Sequence, residues 1–132
     1  MHEWALAESV ILTVLEKAKS ENKNIVETVE IVIGELQEID KDIFEFALNE
    51  LKTLAEKENN VVIKNLKIVE EKAMFKCNRC NYVWSLDEVN IDSFAKESIH
   101  FIPEVAHSYI QCPKCGSHDF EIIQGRGVYL RL

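Results

Sequence analysis

Four cysteines, the only ones in the chain, fall as two CxxC pairs, Cys77-Asn78-Arg79-Cys80 and Cys112-Pro113-Lys114-Cys115. A two-residue gap lets the backbone curl until both sulfurs of a pair reach one ion, and two such knuckles make the tetrahedral thiolate cage that zinc occupies. Four thiolates leave no open position for water or substrate, so the expected role of the ion is structural. Three other readings use the same residues. Two disulfides would fit a secreted protein, but no signal peptide is recognised ahead of them. A redox-active CxxC is expected as a single pair near a βαβ unit. An iron site of the rubredoxin type uses identical ligands.

A second group of donors opens the chain. Met1-His2-Glu3 offers an α-amine, a backbone amide and an imidazole in one short segment, able to close small chelate rings on a single ion. Nitrogen donors in a plane suit Ni(II) or Cu(II), and neutral imidazole is the commonest side-chain ligand. The bulk of His2 should discourage removal of Met1, which keeps the amine beside the imidazole. The competing reading is a polar histidine on a frayed terminus. Of the remaining histidines, His107 and His118 are read as packing or hydrogen-bonding groups. His100 draws more interest because it lies between the knuckles, in Ser98-Ile99-His100-Phe101-Ile102-Pro103-Glu104, where flanking apolar residues should hold it in place.

The elements that must position these groups can be read from periodicity. Ala7, Ile11, Val14, Leu15 and Ala18 make the apolar stripe of an amphipathic helix from Met1 to about Lys23. From Ile25 the pattern turns to alternation, with Val29, Ile31 and Ile33 on one face of a strand ending near Gly34. Asp42 and Glu45 have the spacing of a capping box for a second helix, whose stripe of Phe44, Ala47, Leu48, Leu51 and Ala55 runs to about Lys57. A β-branched stretch, Val61 to Val69, reads as a second strand continuing towards Phe75, and Phe120 to Leu132 as a third. The expected architecture is α+β: two helices on a three-stranded sheet, residues 1–72 and 118–132, with an inserted zinc-ribbon-like subdomain at 73–117.

Composition narrows the function classes. At 132 residues the chain can build one modest core plus a metal-stapled unit. No run of 18 apolar residues is present, so a membrane span is not expected, and the cytoplasm is the expected location. A formal net charge of -8 opposes binding to a phosphate backbone, although many zinc ribbons bind nucleic acid. No nucleophile and base pair and no glycine-rich phosphate loop is visible, so an enzyme is not expected. One reading the knuckles leave open is a zinc-ribbon protein-interaction or nucleic-acid-binding module, which a basic patch on the ribbon would favour.

Met1-His2-Glu3 ahead of a helix, Gly34-Glu35-Leu36 closing the first strand, the two CxxC knuckles and Gly125-Arg126 near the end together resemble the HypA family of hydrogenase nickel-incorporation proteins. The resemblance covers the whole chain. The long spacer carrying Ile99-His100-Phe101-Ile102-Pro103-Glu104 looks like the archaeal type. Bacterial relatives usually have a shorter one, so no role for His100 is borrowed from them. The resemblance implies a metallochaperone with nickel as cargo at His2, with the Met1 amine and Glu3 nearby and His100 as a further candidate, and structural zinc at Cys77, Cys80, Cys112 and Cys115. It also implies delivery to the large subunit of a nickel-iron hydrogenase, alongside a HypB-type GTPase.

Overall fold

The computed structural model describes residues 2–37 and 39–132. The first helix, α1 (Glu3–Ser20), buries Ala7, Val10, Ile11, Val14 and Ala18. It stops short of the expected Lys23 because Asn22 takes a left-handed backbone, φ 54°. The Lys23 N–H then bonds the Ala18 carbonyl and the Asn22 N–H that of Lys19, which satisfies the last turn with asparagine where glycine is commoner. Strand β1 (Ile25–Gly34) follows, then α2 (Lys41–Asn59), which buries Phe44, Ala47, Leu48 and Ala55. Asp40, not the expected Asp42, caps α2: its carboxylate accepts the N–H groups of Asp42 at 3.0 Å and Ile43 at 3.1 Å.

The α+β class holds, with more elements than the periodicity indicated. Strand β2 (Val62–Glu71) does not run on to Phe75; it ends before Ala73, and β3 (Met74–Cys77) begins a second sheet. The expected final strand is likewise divided into β5 (Phe120–Gln124) and β6 (Val128–Arg131). With β4 (Val83–Ser85), these strands form two three-stranded sheets, ordered β2-β1-β6 and β4-β3-β5. The knuckle-to-knuckle segment is helical in part, with α3 (Ser93–Phe101) and the single turn α4 (Ala106–Tyr109) joined through a 3-10 turn at Pro103–Val105.

Glycine chemistry explains the division of the last strand. Gly125 has φ 88°, and a Cβ there would collide with the backbone of Ala73; one on Gly34 would collide with the carbonyl of Gly125. Two glutamates receive the amides that leave the ladders: Glu35 accepts from the Ala73 N–H at 2.8 Å and Glu71 from the Gly125 N–H at 3.1 Å.

Two compact units result, one of Met1–Ile31, Ile39–Val69 and Leu130–Leu132, the other of Val32–Glu38 and Glu70–Tyr129. The second unit thus takes in Val32–Glu38 and residues 70–72 and 118–129 along with 73–117. The physical reason is the core of the second unit, where Leu36, Ala73, Phe75, Trp84, Ile99, Ile110 and Phe120 pack around the buried Cys77 and Cys112.

Candidate metal centre

Each knuckle is built by the same backbone device. Cys77 closes β3, its N–H bonding the carbonyl of Tyr82 at 2.9 Å, and the Asn81 N–H returns to the Cys77 carbonyl at 3.0 Å. In the second knuckle the Cys112 N–H bonds Ser117 at 2.8 Å and the Gly116 N–H returns to Cys112 at 2.9 Å. Asn81 and Gly116, each four residues after the first cysteine of its pair, have φ of 63° and 77°. These are positions for residues tolerant of left-handed backbone. The tight turns aim N–H groups at sulfur: Arg79 and Cys80 onto Cys77 at 3.4 and 3.5 Å, and Cys115 onto Cys112 at 3.5 Å.

The four sulfurs converge. Cys77 lies 3.5 Å from Cys115 and Cys80 3.5 Å from Cys112, and all four Sγ atoms fall within 4.8 Å of one another. All four cysteines are free, and these separations are far beyond the ~2.05 Å of a disulfide. Four sulfurs each about 2.3 Å from one tetrahedral ion would lie about 3.8 Å apart. The observed spacing therefore fits a metal of zinc's size, and N–H donors to the sulfurs suit thiolates rather than thiols. Donation from the Cys80 backbone N–H is the first cause that draws Cys77 down to about 7. The Ser117 backbone N–H pulls Cys115 down too, but the Cys77 sulfur and desolvation outweigh it and push Cys115 up to about 11. A cation entering the cage displaces whatever protons these groups still share.

Several residues that brace the cage carry no signature in the spacing. Asn78 bonds Asp119 twice, through its backbone N–H to the carbonyl and through Nδ2 to Oδ1, each at 2.9 Å. His118 Nδ1 faces the carbonyls of His107 and Ile110, both at 3.0 Å, and His107 Nδ1 faces the His118 carbonyl at 3.2 Å. Carbonyls can only accept, so Nδ1 carries the proton in both rings. His107 also stacks on Phe120 at 4.4 Å. Behind the knuckles Phe75, Trp84 and Phe120 meet one another at 5.4 to 5.7 Å. The alternations Phe75/Cys77 and Tyr82/Trp84 are the sequence signal by which this aromatic layer could have been found.

The amino-terminal candidates are placed as follows. His2 is the exposed N-cap of α1, and its carbonyl accepts the Leu6 N–H at 2.9 Å. Glu3 is buried, and its carboxylate accepts the Asp40 N–H at 3.3 Å, which ties the start of α1 to the start of α2. Met1 lies outside the described residues. His100 is half-buried on α3, next to the fully buried Ile99. Among the described residues, the four cysteines are the one group of three or more metal-ligating side chains brought together. No helix among the described residues is long and apolar enough to cross a membrane.

Fold and site define a small α+β metal-binding protein with a four-cysteine cage and a histidine at position 2. A family model described as hydrogenase/urease nickel incorporation, metallochaperone, hypA matches residues 1–132, and the chain belongs to that HypA family. Hydrogenase maturation factor HypA of Pyrococcus horikoshii is 51% identical over 98% of this chain and 92% of its own length. The factor of the same name from Thermococcus kodakarensis is 50% identical with the same coverage. The solution structure of the Ni metallochaperone HypA from Helicobacter pylori is similar with a TM-score of 0.57 and 28% identity, covering all of this chain and 95% of that one.

Proposed function

We propose that the chain carries Ni(II) on an amino-terminal chelate of His2, the Met1 amine and Glu3, and delivers it for maturation of the nickel-iron hydrogenase large subunit. The observation that carries this reading is membership of a nickel-incorporation family over the full length, with the exposed His2 standing at the start of α1. Zinc in the cage of Cys77, Cys80, Cys112 and Cys115 is structural in this reading. Those residues supply the second unit's ordering, since two of the four side chains belong to its core. The contrast suits a carrier. Four thiolates retain an ion, whereas few ligands at a chain end can release one. The role is handover in the cytoplasm rather than catalysis, with a HypB-type GTPase as co-worker and the hydrogenase large subunit as recipient. A contribution of His100 to nickel binding belongs to the same proposal, and His100→Ala isolates it.

Metal analysis of purified, untagged protein before and after nickel addition tests the reading. The expected result is zinc throughout, joined after addition by nickel that a chelator removes without removing zinc. Zinc alone, unchanged by nickel, would return the chain to the interaction-module alternative.

A further inference from the structure

Helices α1 and α2 lie side by side with their amino termini at the same end. The Trp4 and Phe46 rings meet edge to face at 6.1 Å, and farther along a groove of about 270 Å³ is walled by Leu12 and Leu15 from one helix and Leu51 and Leu54 from the other. Glu8 and Glu58 line the same groove. Along α1 the residues Trp4, Glu8, Leu12 and Glu16 are all exposed, as are Phe46, Glu50, Leu54 and Glu58 along α2. Each four-residue step turns about 40°, so each set winds slowly along its helix as a ridge. The outer face therefore interleaves apolar side chains with acidic ones, and the pairs Trp4/Phe46 and Leu12/Leu54 are its apolar rungs.

Beyond the contact of Trp4 with Phe46, these side chains stay largely uncovered within the first unit. Trp4, Leu12, Phe46 and Leu54 are 48 to 59% exposed, large side chains gathered on one face rather than scattered singly. Among the described residues no ion pair reaches Glu8, Glu16, Glu50 or Glu58; Lys17 and Lys52 pair with Glu21 and Glu56, while Lys19 lines a neighbouring pocket together with Glu16.

We propose that this face is a docking surface for a basic amphipathic helix of a partner protein. Its apolar residues at i and i+7 or i+8 would sit on the Trp4/Phe46 and Leu12/Leu54 rungs, with Lys or Arg between them facing the glutamates. Length, shape and charge argue for that occupant. Eight residues at about 1.5 Å each put the apolar rungs about 12 Å apart, which is two turns of a partner helix. A groove between two helices is the natural seat for a third. The four glutamates call for cations. A second copy of this chain fits poorly, because a two-fold interface would gather both sets of glutamates and bring together chains of net charge -8. Anionic lipid is repelled for the same reason. The Trp4 rung begins two residues beyond His2, so under the nickel reading a docked partner would lie against the end of α1 from which metal leaves; the docking itself does not depend on that reading.

The test uses zinc-loaded, full-length protein and two labelled synthetic helical peptides with leucines at the same i, i+4 and i+7 positions, one flanked by lysines and the other by glutamates. Fluorescence anisotropy should show binding of the lysine peptide that weakens about tenfold or more between about 0.05 and about 0.5 M salt. Leu12→Asp and Leu54→Asp should each weaken it about tenfold while far-UV circular dichroism and zinc content stay unchanged. The double variant Glu8→Lys/Glu58→Lys should prefer the glutamate peptide. Equal binding of both peptides, no binding of the lysine peptide at about 100 µM, or binding that survives both leucine changes would overturn the proposal. Self-association abolished by Leu12→Asp in sedimentation would overturn it in favour of a second copy. His2→Ala should leave peptide binding intact, which separates failure of this inference from failure of the nickel reading.

Discussion

Asn78 and Asp119 are joined by two hydrogen bonds of 2.9 Å, one through the backbone and one through the side chains, so the first knuckle is fastened to the strand that leaves the second. Asp119→Ala removes the side-chain bond and keeps the backbone one. A loss of about 1 kcal/mol is expected, which corresponds to roughly fivefold faster zinc transfer to a colorimetric chelator. An unchanged rate would mean that the knuckles hold their geometry without this tie.

Cys77→Ser and Cys112→Ser should each unfold the second unit and spare α1 and α2. Both sulfurs are buried in that unit's core, and a unit of this size depends on metal binding for much of its folding free energy. Trp84 is fully buried in the same core, so its emission should shift towards that of a solvated indole while most helical circular dichroism remains. Loss of the whole helical signal would contradict separable units.

Zinc affinity should fall with acidification, and more steeply below about pH 7. Cys77 is lowered from its ordinary 9.0 to about 7, so above that pH it is already a thiolate and below it takes up a proton that zinc must displace. The sign follows: a depressed thiol contributes fully above its unfolded value and loses that contribution as pH falls through the folded one. Chelator competition between pH 8 and pH 5.5 should show the slope of log affinity against pH rising by about one across the neutral region. A constant slope would deny Cys77 its special status.

Gly125→Ala should destabilise the second unit by about 3 kcal/mol or more, because the methyl meets the Ala73 backbone while φ of 88° strains any L side chain. Thermal unfolding followed by Trp emission measures this. A melting temperature unchanged from the parent would mean that the division between β5 and β6 tolerates a side chain.

The cysteine cage was legible in the sequence because its chemistry is written in spacing alone. Both long helices were legible because Ala7, Ile11, Val14 and Ala18, like Phe44, Ala47, Leu48 and Ala55, repeat at the helical period on a buried face. The second sheet was not. Alternation across residues 120–132 looks continuous until the close approach of Gly125 to Ala73 is known, and that contact links positions far apart in the chain. Helix α3 was missed because its nine residues bury only Ala95 and Ile99, too few for a visible stripe. The cap at Asp40 was displaced by a competing pattern, Asp42 and Glu45, with equally good spacing. The bracing roles of Asn78, Asp119, His107 and His118 arise from backbone carbonyls and amides, which sequence does not display.

The most direct test of the account concerns nickel at the terminus. Adding a single residue before Met1 leaves every side chain in place, converts the Met1 amine into a peptide nitrogen and changes the chelate ring sizes. Isothermal titration of the extended protein with Ni(II) should show loss of most specific binding, comparable to that of His2→Ala, with zinc retained by its own four sulfurs in both. Nickel binding by the extended protein equal to that of the parent would contradict the amino-terminal chelate.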